Sequence, residues 1–128
     1  MAARQAVSSP AAPKPVGPYS QGVVVADTLY VSGQIGMEPT TGRLIGGGVV
    51  AEAEQVLENV LAIVHAAGFT RADVVRTTVY LADLRDFRAV NEVYQRYFSE
   101  PYPARVSLQA AALPGGARVE IDAVAVRS

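Results

Sequence analysis

The order of predicted strands and helices is the feature that most constrains this fold. Five short segments rich in β-branched residues are separated by only two stretches with helical periodicity. The resulting order is β-β-α-β-α-β-β, and two helices can cover only one face of a sheet of this size. The sequence therefore predicts an α+β fold with one sheet, two helices on one face, and a second face that no helix covers.

The bounds of these elements follow from periodicity, turn residues and caps. Strands are predicted over residues 22–26, 28–35, 74–82, 104–112 and 118–126. Apolar positions that step by three and four predict a first helix over residues 49–67, ended by Gly68. Asp83 or Asp86 is the predicted cap of a second helix that runs to about residue 98. In the strand over 74–82, alternation places Val75, Thr77, Val79 and Leu81 on one face.

The length and the apolar content indicate one domain that associates with copies of itself. A chain of 128 residues fits a single domain, which we assign to residues 16–128. Residues 1–15, rich in Ala, Pro and Ser, are predicted to be an irregular, flexible N-terminal segment. The mean hydropathy of +0.20 is high for a small domain, and a subunit interface would cover the surplus apolar surface. No apolar run approaches the ~20 residues of a membrane span, and no signal-peptide core is present, so we interpret the protein as cytoplasmic.

The residue types that are missing exclude several kinds of chemistry. The chain has no Cys, a single His (His65) and a single Lys (Lys14), which lies among prolines near the N-terminus. Zinc-thiolate sites, thiolate nucleophiles and His-based metal clusters are therefore excluded, and a Schiff-base lysine is disfavoured. The net charge of −1 argues against an electrostatic nucleic-acid binder. We accordingly predict no metal and no cofactor.

Two charged residues on predicted strands are the main candidates for chemistry. Alternation places Glu120 on the face opposite Val119 and Ile121, where a carboxylate is either a solvated surface group or, if partly buried, a general base. Arg105 begins a strand and is either a surface charge or a bidentate clamp for a substrate carboxylate. Arg105 and Glu120 are both predicted to lie on the face that the helices do not cover.

Three further polar residues are weaker candidates. Tyr19 lies in the loop that enters the first strand, and Ser32 lies near the end of the second strand beside Gly33. Asn91 belongs to the second helix, where it is either a residue of the polar face or a group that orients a ligand. Ser32 has no His partner that would make it a nucleophile, and Tyr19 is either an ordinary turn residue or a binding group.

Seven short motifs give the chain a resemblance to a known family. They are Gly17-Pro-Tyr-Ser-Gln21, Leu29-Tyr-Val-Ser-Gly-Gln-Ile35, Asp73-Val-Val-Arg-Thr-Thr-Val79, Asp86-Phe87 with Val90-Asn-Glu-Val-Tyr94, Pro103-Ala-Arg105, Ala112-Leu-Pro114 and Val119-Glu-Ile-Asp-Ala123. In this order and spacing they resemble the RidA (YjgF) family of imine deaminases. The resemblance covers the chain from residue 17 to its end and implies a chorismate-mutase-like fold and a homotrimer with pockets between subunits.

The resemblance also implies an activity and assigns roles to the candidate residues. Family members hydrolyse reactive 2-imino acids, such as 2-iminopropanoate and 2-iminobutanoate, to 2-oxo acids and ammonia, and so limit metabolite damage. By residue-for-residue correspondence, Arg105 binds the substrate carboxylate and Glu120 orients or activates water. Tyr19, Ser32 and Asn91 correspond to pocket residues. Neither a metal nor a cofactor is implied.

Two other classes of function remain open at the level of sequence. One is an RNA-directed role as a ribonuclease or translation inhibitor, which the near-neutral charge and single His disfavour. The other is a ligand-binding or chaperone-like module that uses the same pocket without turnover. Release of ammonia from a freshly generated imine separates the enzyme from the binding module.

Overall fold

A computed structural model describes residues 3–128 and contains one six-stranded sheet with both α-helices on one face. The α+β class and the two helices on one face are confirmed. The strands are β1 (Arg4–Val7), β2 (Gly22–Val25), β3 (Thr28–Ile35), β4 (Val74–Leu81), β5 (Ala104–Gln109) and β6 (Val119–Val126), and the helices are α1 (Val49–Ala66) and α2 (Phe87–Tyr97). Within residues 3–128, no helix is both long and apolar enough to cross a membrane.

The strand order in the sheet is β1-β2-β3-β6-β4-β5. All neighbours pair antiparallel except β4 and β5, which are parallel and are joined by α2. Because parallel strands run in the same direction, the chain must return to the starting edge of the sheet between them, and a tight turn is too short to do this. Strands β5 and β6 are consecutive in sequence, yet they are separated in the sheet by β4.

The core lies between the helices and the covered face of the sheet. Helix α1 supplies most of it because its apolar residues recur every three or four positions and so share one side. Its fully buried side chains pack against alternate residues of β3, β4 and β6, which share the covered face. The largest of these side chains are Val56, Leu57, Val60, Ile63 and Val64 of α1 with Leu29, Val79, Leu81, Val119 and Ile121 of the sheet.

The N-terminal segment departs from its prediction. Arg4–Val7 forms the edge strand β1, which pairs antiparallel with β2, so the expectation of an irregular segment is wrong for these residues. All but one of their side chains are exposed, so the strand is held mainly by backbone hydrogen bonds. Backbone pairing does not require alternating apolar residues, and the sequence therefore shows no strand pattern here. Met1 and Ala2, which belong to the predicted flexible segment, lie outside the described residues.

A β-bulge changes the predicted alternation of β4. The pairing with β6 shifts register between Val74 and Arg76, so Val74 is buried while Val75 is exposed. Thr77 and the residues two and four positions after it are buried on the helix side, as predicted. An extra residue at a bulge is left unpaired, and this reverses the alternation on one side of it. The expectation that Val75 shares the face of Thr77 is therefore wrong.

The face that the helices do not cover carries a band of exposed apolar side chains. Tyr30, Val106, Leu108 and Val126 expose between 37% and 52% of their surface and share this face by strand register. Polar side chains of β4 and β6 lie among them. Exposed apolar side chains that cluster on one face make this face a candidate interaction surface.

Candidate functional site

A cavity of about 390 Å³ opens at the ends of β3 and β6, and Glu120 lies in its wall. We call it the Glu120 cavity. It is formed by Pro13, Lys14, Val16, Tyr19, Gln21, Ser32, Gly33, Gln34, Ile35, Met37, Pro114 and Glu120. It therefore contains three of the five residues that the sequence singled out, namely Tyr19, Ser32 and Glu120. Its volume is within the range of about 300–1,000 Å³ that is usual for small-molecule sites.

Glu120 reaches the cavity because alternation along β6 turns it away from the core and because Gly33 leaves room for it. The buried neighbours Val119 and Ile121 face the helices, so Glu120 faces the open side. The β3–β6 pairing shifts register between Val31 and Gln34, directly beside Gly33. A Cβ atom at Gly33 would overlap Oε2 of Glu120 and would lie 3.0 Å from its Cδ. The absence of a side chain at Gly33 thus provides the space that the carboxyl group occupies.

The electrostatic environment favours the protonated form of this carboxyl group. Burial raises the pKa of Glu120, and the negative charge of Asp122 raises it further. Asp122 accepts a hydrogen bond of 3.0 Å from the hydroxyl of Tyr80, which lies opposite Glu120 in β4. A carboxyl group with a raised pKa binds a proton more readily than an exposed glutamate does. This property suits a general base that works near neutral pH.

Ser32 and Tyr19 place hydroxyl groups in the same cavity. The Oγ of Ser32 donates to the carbonyl of Ser20 at 2.6 Å, so its proton is occupied and its lone pairs remain available. Tyr19 exposes 49% of its surface and accepts a long contact of 3.4 Å from the backbone N–H of Val16. The Tyr19 hydroxyl proton has no acceptor within residues 3–128, so it is available to a ligand.

A buried glutamine that the sequence did not reveal fixes one wall of the Glu120 cavity. The side chain of Gln21 donates to the carbonyls of Ser9, Ala12 and Pro13 and accepts from the backbone N–H of Ser9 at 2.6 Å. It is only 3% exposed. These bonds attach the segment before Lys14 to the start of β2. The Gly17-Pro-Tyr-Ser-Gln21 motif was the available signal, but it gives no indication of a partner twelve residues away.

Arg105 and Asn91 lie in a second, smaller cavity of about 310 Å³. We call it the Arg105 cavity. It is formed by Asn91, Tyr94, Gln95, Tyr102, Pro103 and Arg105. Nη2 of Arg105 donates to Oδ1 of Asn91 at 2.6 Å, and this bond leaves the other N–H groups of the guanidinium available. An available guanidinium edge is suited to bidentate binding of a carboxylate.

Two aromatic residues of α2 pack against this guanidinium. Cζ of Arg105 lies 4.7 Å from the ring centroid of Tyr94 and 5.6 Å from that of Phe87, both within the range of a cation–π contact. The Tyr94 ring is 5% exposed, and its hydroxyl shares a hydrogen bond of 2.8 Å with Thr77. Tyr94 thus belongs to the core and also packs against Arg105.

The structure does not bring Arg105 and Glu120 together within one chain. Arg105 lies opposite Thr77 in the parallel pairing of β4 and β5, and Thr77 is buried on the helix side. Glu120 lies on the open side. The expectation that both residues point to the uncovered face is therefore wrong for Arg105. The register with β4, which the sequence does not specify, decides which side of β5 faces the helices.

Neither cavity resembles a metal centre. Across residues 3–128, no three His, Asp or Glu side chains cluster closely enough to hold a metal ion. The two cavities instead offer complementary groups. One has a carboxyl group with raised pKa and two hydroxyls, and the other has a supported guanidinium beside an amide.

Comparison with known proteins identifies near full-length relatives. A family model described as Endoribonuclease L-PSP matches residues 9–127. The chain is 52% identical over 124 residues to human 2-iminobutanoate/2-iminopropanoate deaminase, covering 97% of this chain and 90% of that protein. The crystal structure of RidA from a Psychrobacter species superposes with a TM-score of 0.93 at 49% identity, covering 96% of this chain and 99% of that one. Escherichia coli TdcF with bound serine superposes with a TM-score of 0.92 at 42% identity, covering 97% and 99%.

Proposed function

The chain belongs to the Endoribonuclease L-PSP family, the RidA (YjgF) proteins, and we infer that it hydrolyses 2-imino acids to 2-oxo acids and ammonia. The observation that carries this conclusion is the match of 97% of the chain, at 52% identity, to a protein named 2-iminobutanoate/2-iminopropanoate deaminase. The serine bound to the Escherichia coli relative supports a ligand of amino-acid size with a carboxylate. We further propose that the enzyme acts in the cytoplasm, on imines that pyridoxal-phosphate-dependent dehydratases release.

We propose that Glu120 is the general base of the reaction. The carboxylate takes a proton from a water molecule while the water oxygen bonds to the imine carbon and the C=N electron pair moves to the nitrogen. Glu120 passes that proton to the nitrogen, which gives a carbinolamine and restores the carboxylate. The carboxylate then takes the hydroxyl proton and delivers it to the nitrogen as the C–N bond breaks and the C–O bond becomes the carbonyl of the 2-oxo acid. One water is added and one ammonia leaves, so no net proton is consumed by the enzyme. The raised pKa of Glu120 supports both steps.

Arg105 is the proposed clamp for the substrate carboxylate. Its guanidinium is held by Asn91 and by the Tyr94 ring, so little side-chain freedom is lost when the substrate binds. A fixed carboxylate orients the imine carbon relative to the attacking water. Orientation of this kind contributes to the rate without any covalent intermediate, metal or cofactor.

Since the two groups lie in separate cavities of one chain, we propose that a complete site forms between two subunits. The Arg105 cavity of one copy would face the Glu120 cavity of the next, so that Tyr19 and Ser32 act beside Glu120 while Asn91 acts beside Arg105. Two different surfaces then meet at each interface. Such heterologous contacts close into a ring, and the family resemblance supplies the number three. The exposed apolar band on the uncovered face supports this association.

Mixing two inactive variants tests the shared site. Arg105→Ala lacks the clamp and Glu120→Gln lacks the base, so each variant alone should lose imine hydrolysis. When the two are refolded or expressed together, some interfaces pair an intact Glu120 with an intact Arg105. Random mixing in a ring restores about one quarter of the sites. No recovery on mixing, in oligomers shown to contain both chains, would contradict a site shared between subunits.

The activity itself is tested with imine supplied by a threonine or serine dehydratase. Wild-type protein should accelerate release of ammonia, whereas Arg105→Ala should do so weakly and should bind 2-oxobutanoate poorly in calorimetry. Arg105→Lys should not restore full activity, because an ammonium group cannot form the planar bidentate contact. Glu120→Gln should bind 2-oxobutanoate and hydrolyse imine about 10²-fold more slowly. Binding without any turnover by the wild type would favour the ligand-binding module instead.

The description of the matching family model keeps an RNA-directed activity as a second candidate. Its motivation is that description alone, since the net charge of −1 offers no general attraction to phosphates. Cleavage of RNA by purified protein that persists in Arg105→Ala and Glu120→Gln would show a separate activity. Absence of cleavage in protein that hydrolyses imine would remove this candidate.

A further inference from the structure

The single lysine of the chain lines the Glu120 cavity and, among residues 3–128, is the only cation in its wall. The mechanism proposed above makes no use of Lys14. Its residue type alone suggests an ordinary surface charge, because long cationic side chains are mostly exposed. Lys14 nevertheless lines a cavity that is proposed to bind an anionic substrate.

The backbone at Lys14 is unusually restrained for a residue in a loop. Prolines flank it on both sides, which fixes φ at Pro13 and Pro15 and limits Lys14 to extended conformations. The carbonyl of Pro13 accepts a hydrogen bond of 2.9 Å from the buried side chain of Gln21. The lysine stem therefore leaves the chain at a fixed point on the cavity wall, and only its side-chain torsions remain free.

The ammonium group has no protein partner within residues 3–128. The three ion pairs there involve arginines only, and no hydrogen bond from the Lys14 side chain is present. Lys14 and Glu120 both line the cavity without forming an ion pair, so the cation is available to a ligand.

The size and wall of the cavity leave room for a long substrate. An imine of three or four carbons fills only a small part of 390 Å³. If C2 of the substrate lies near Glu120 and its carboxylate binds Arg105 of the next subunit, the rest of the cavity is available to the substrate side chain. Apolar groups of Val16, Ile35 and Met37 line the cavity, with Lys14 also in its wall.

We propose that Lys14 is a specificity-determining residue that binds an acidic group at the end of the substrate side chain. The enzyme then accepts 2-iminodicarboxylic acids, which it hydrolyses to 2-oxodicarboxylic acids and ammonia by the same water addition. This inference rests on the proposed function, because it assigns a substrate class to the same site. Ionised Glu120 repels a second carboxylate, and the ammonium of Lys14 offsets that repulsion.

The test compares two imines in the wild type and three variants. An amino-acid oxidase generates the imines of glutamate and of 2-aminobutanoate, and kcat/KM is measured for each. Lys14→Met should lower the ratio of the dicarboxylic to the monocarboxylic value about three- to fivefold, as expected for one exposed ion pair. Lys14→Glu should lower the ratio further, because it adds repulsion. Arg4→Met removes one positive charge from the exposed edge strand, outside the cavity, and should leave the ratio as in the wild type.

Binding of the products provides a readout that does not depend on turnover. In calorimetry, Lys14→Met should weaken the binding of 2-oxoglutarate more than the binding of 2-oxobutanoate. Added salt should reduce the difference in 2-oxoglutarate affinity between this variant and the wild type. An equal loss for both ligands would overturn the inference and would point to the common carboxylate. A ratio of kcat/KM values that is unchanged in Lys14→Met would overturn the inference as well. So would a wild type that hydrolyses the monocarboxylic imine but not the dicarboxylic one. Failure of the wild type on 2-iminobutanoate would instead refute the proposed function.

Discussion

Gly33→Ala should separate the activity of this enzyme from its stability. A methyl group at this position would overlap Oε2 of Glu120 and would lie 3.0 Å from Cδ and 3.3 Å from Cγ. Ordinary contacts between such atoms begin near 3.4 Å, so the carboxyl group must move by about 1 Å to remove the overlap. Gly33 itself does not have a positive φ, and its backbone therefore accepts alanine without strain.

The two consequences differ in size. The atom that must move is the end of a flexible side chain in an open cavity, so the cost to folding is about that of an off-rotamer torsion, ~0.5–1.5 kcal/mol. Catalysis is more sensitive, since a misplacement of ~1 Å in a reacting group costs about 10²-fold. This fold-change corresponds to about 2.7 kcal/mol in the activation free energy. The rate should therefore fall much more than the free energy of unfolding.

The assay couples a threonine dehydratase to ammonia release and measures urea unfolding at one fixed protein concentration. Gly46→Ala is the matched control, because a Cβ atom at Gly46 meets nothing within 4 Å and its φ is not positive. It should leave both the rate and the unfolding midpoint unchanged. In a Glu120→Gln background, Gly33→Ala should cause little further loss, because both changes act on one group. A Gly33→Ala enzyme with the full rate would refute the role assigned to the carboxyl group of Glu120.

Three further perturbations have defined outcomes. Only ionised Glu120 can accept a proton from water, so the rate of the wild type should fall as the pH drops through the raised pKa of Glu120. Asp122→Asn removes a negative charge that raises this pKa. The acid limb of the kcat/KM profile should therefore move to lower pH in this variant. A limb that does not move would contradict this origin of the shift. Gln21→Leu leaves several buried backbone groups without hydrogen-bond partners and should reduce the free energy of unfolding by about 2–4 kcal/mol. Urea unfolding measures this change. An unchanged unfolding midpoint would show that water replaces the lost hydrogen bonds. Tyr94→Leu removes the ring that packs against Arg105 and should weaken 2-oxobutanoate binding about threefold or more. Tyr94→Phe keeps the ring and should bind this ligand nearly as well as the wild type does. An equal loss of binding in both variants would argue against the cation–π contact.

The sequence by itself determined the parts of the fold that depend on local periodicity. Helix α1 was predicted over residues 49–67 and is found at Val49–Ala66, because apolar positions three and four apart specify one buried side. Strand β3 was predicted with its observed bounds, since its turn residues and alternation are contiguous in the chain. The orientation of Glu120 away from the core also follows from alternation, because its neighbours Val119 and Ile121 are apolar.

Tertiary structure alone decided features that depend on a distant partner. β1 exists because its backbone pairs with β2, and its exposed side chains carry no pattern. Gln21 is a buried anchor only because Ser9–Pro13 folds over it. In each case at least one partner is a backbone group that every residue possesses, so the sequence does not indicate where that partner lies.

The placement of Arg105 shows the same limit at the site itself. Alternation along a strand establishes which residues share a face, and it correctly groups Arg105 with residues two positions away. It does not establish which face meets the helices, because a shift of register by one residue reverses every side chain. The parallel pairing with β4 sets that register and places Arg105 beside Thr77 on the helix side, where α2 provides Asn91 and the Tyr94 ring. Pairing between strands that are distant in sequence therefore separates Arg105 from Glu120, and this separation is the physical reason for proposing a site completed by a second subunit.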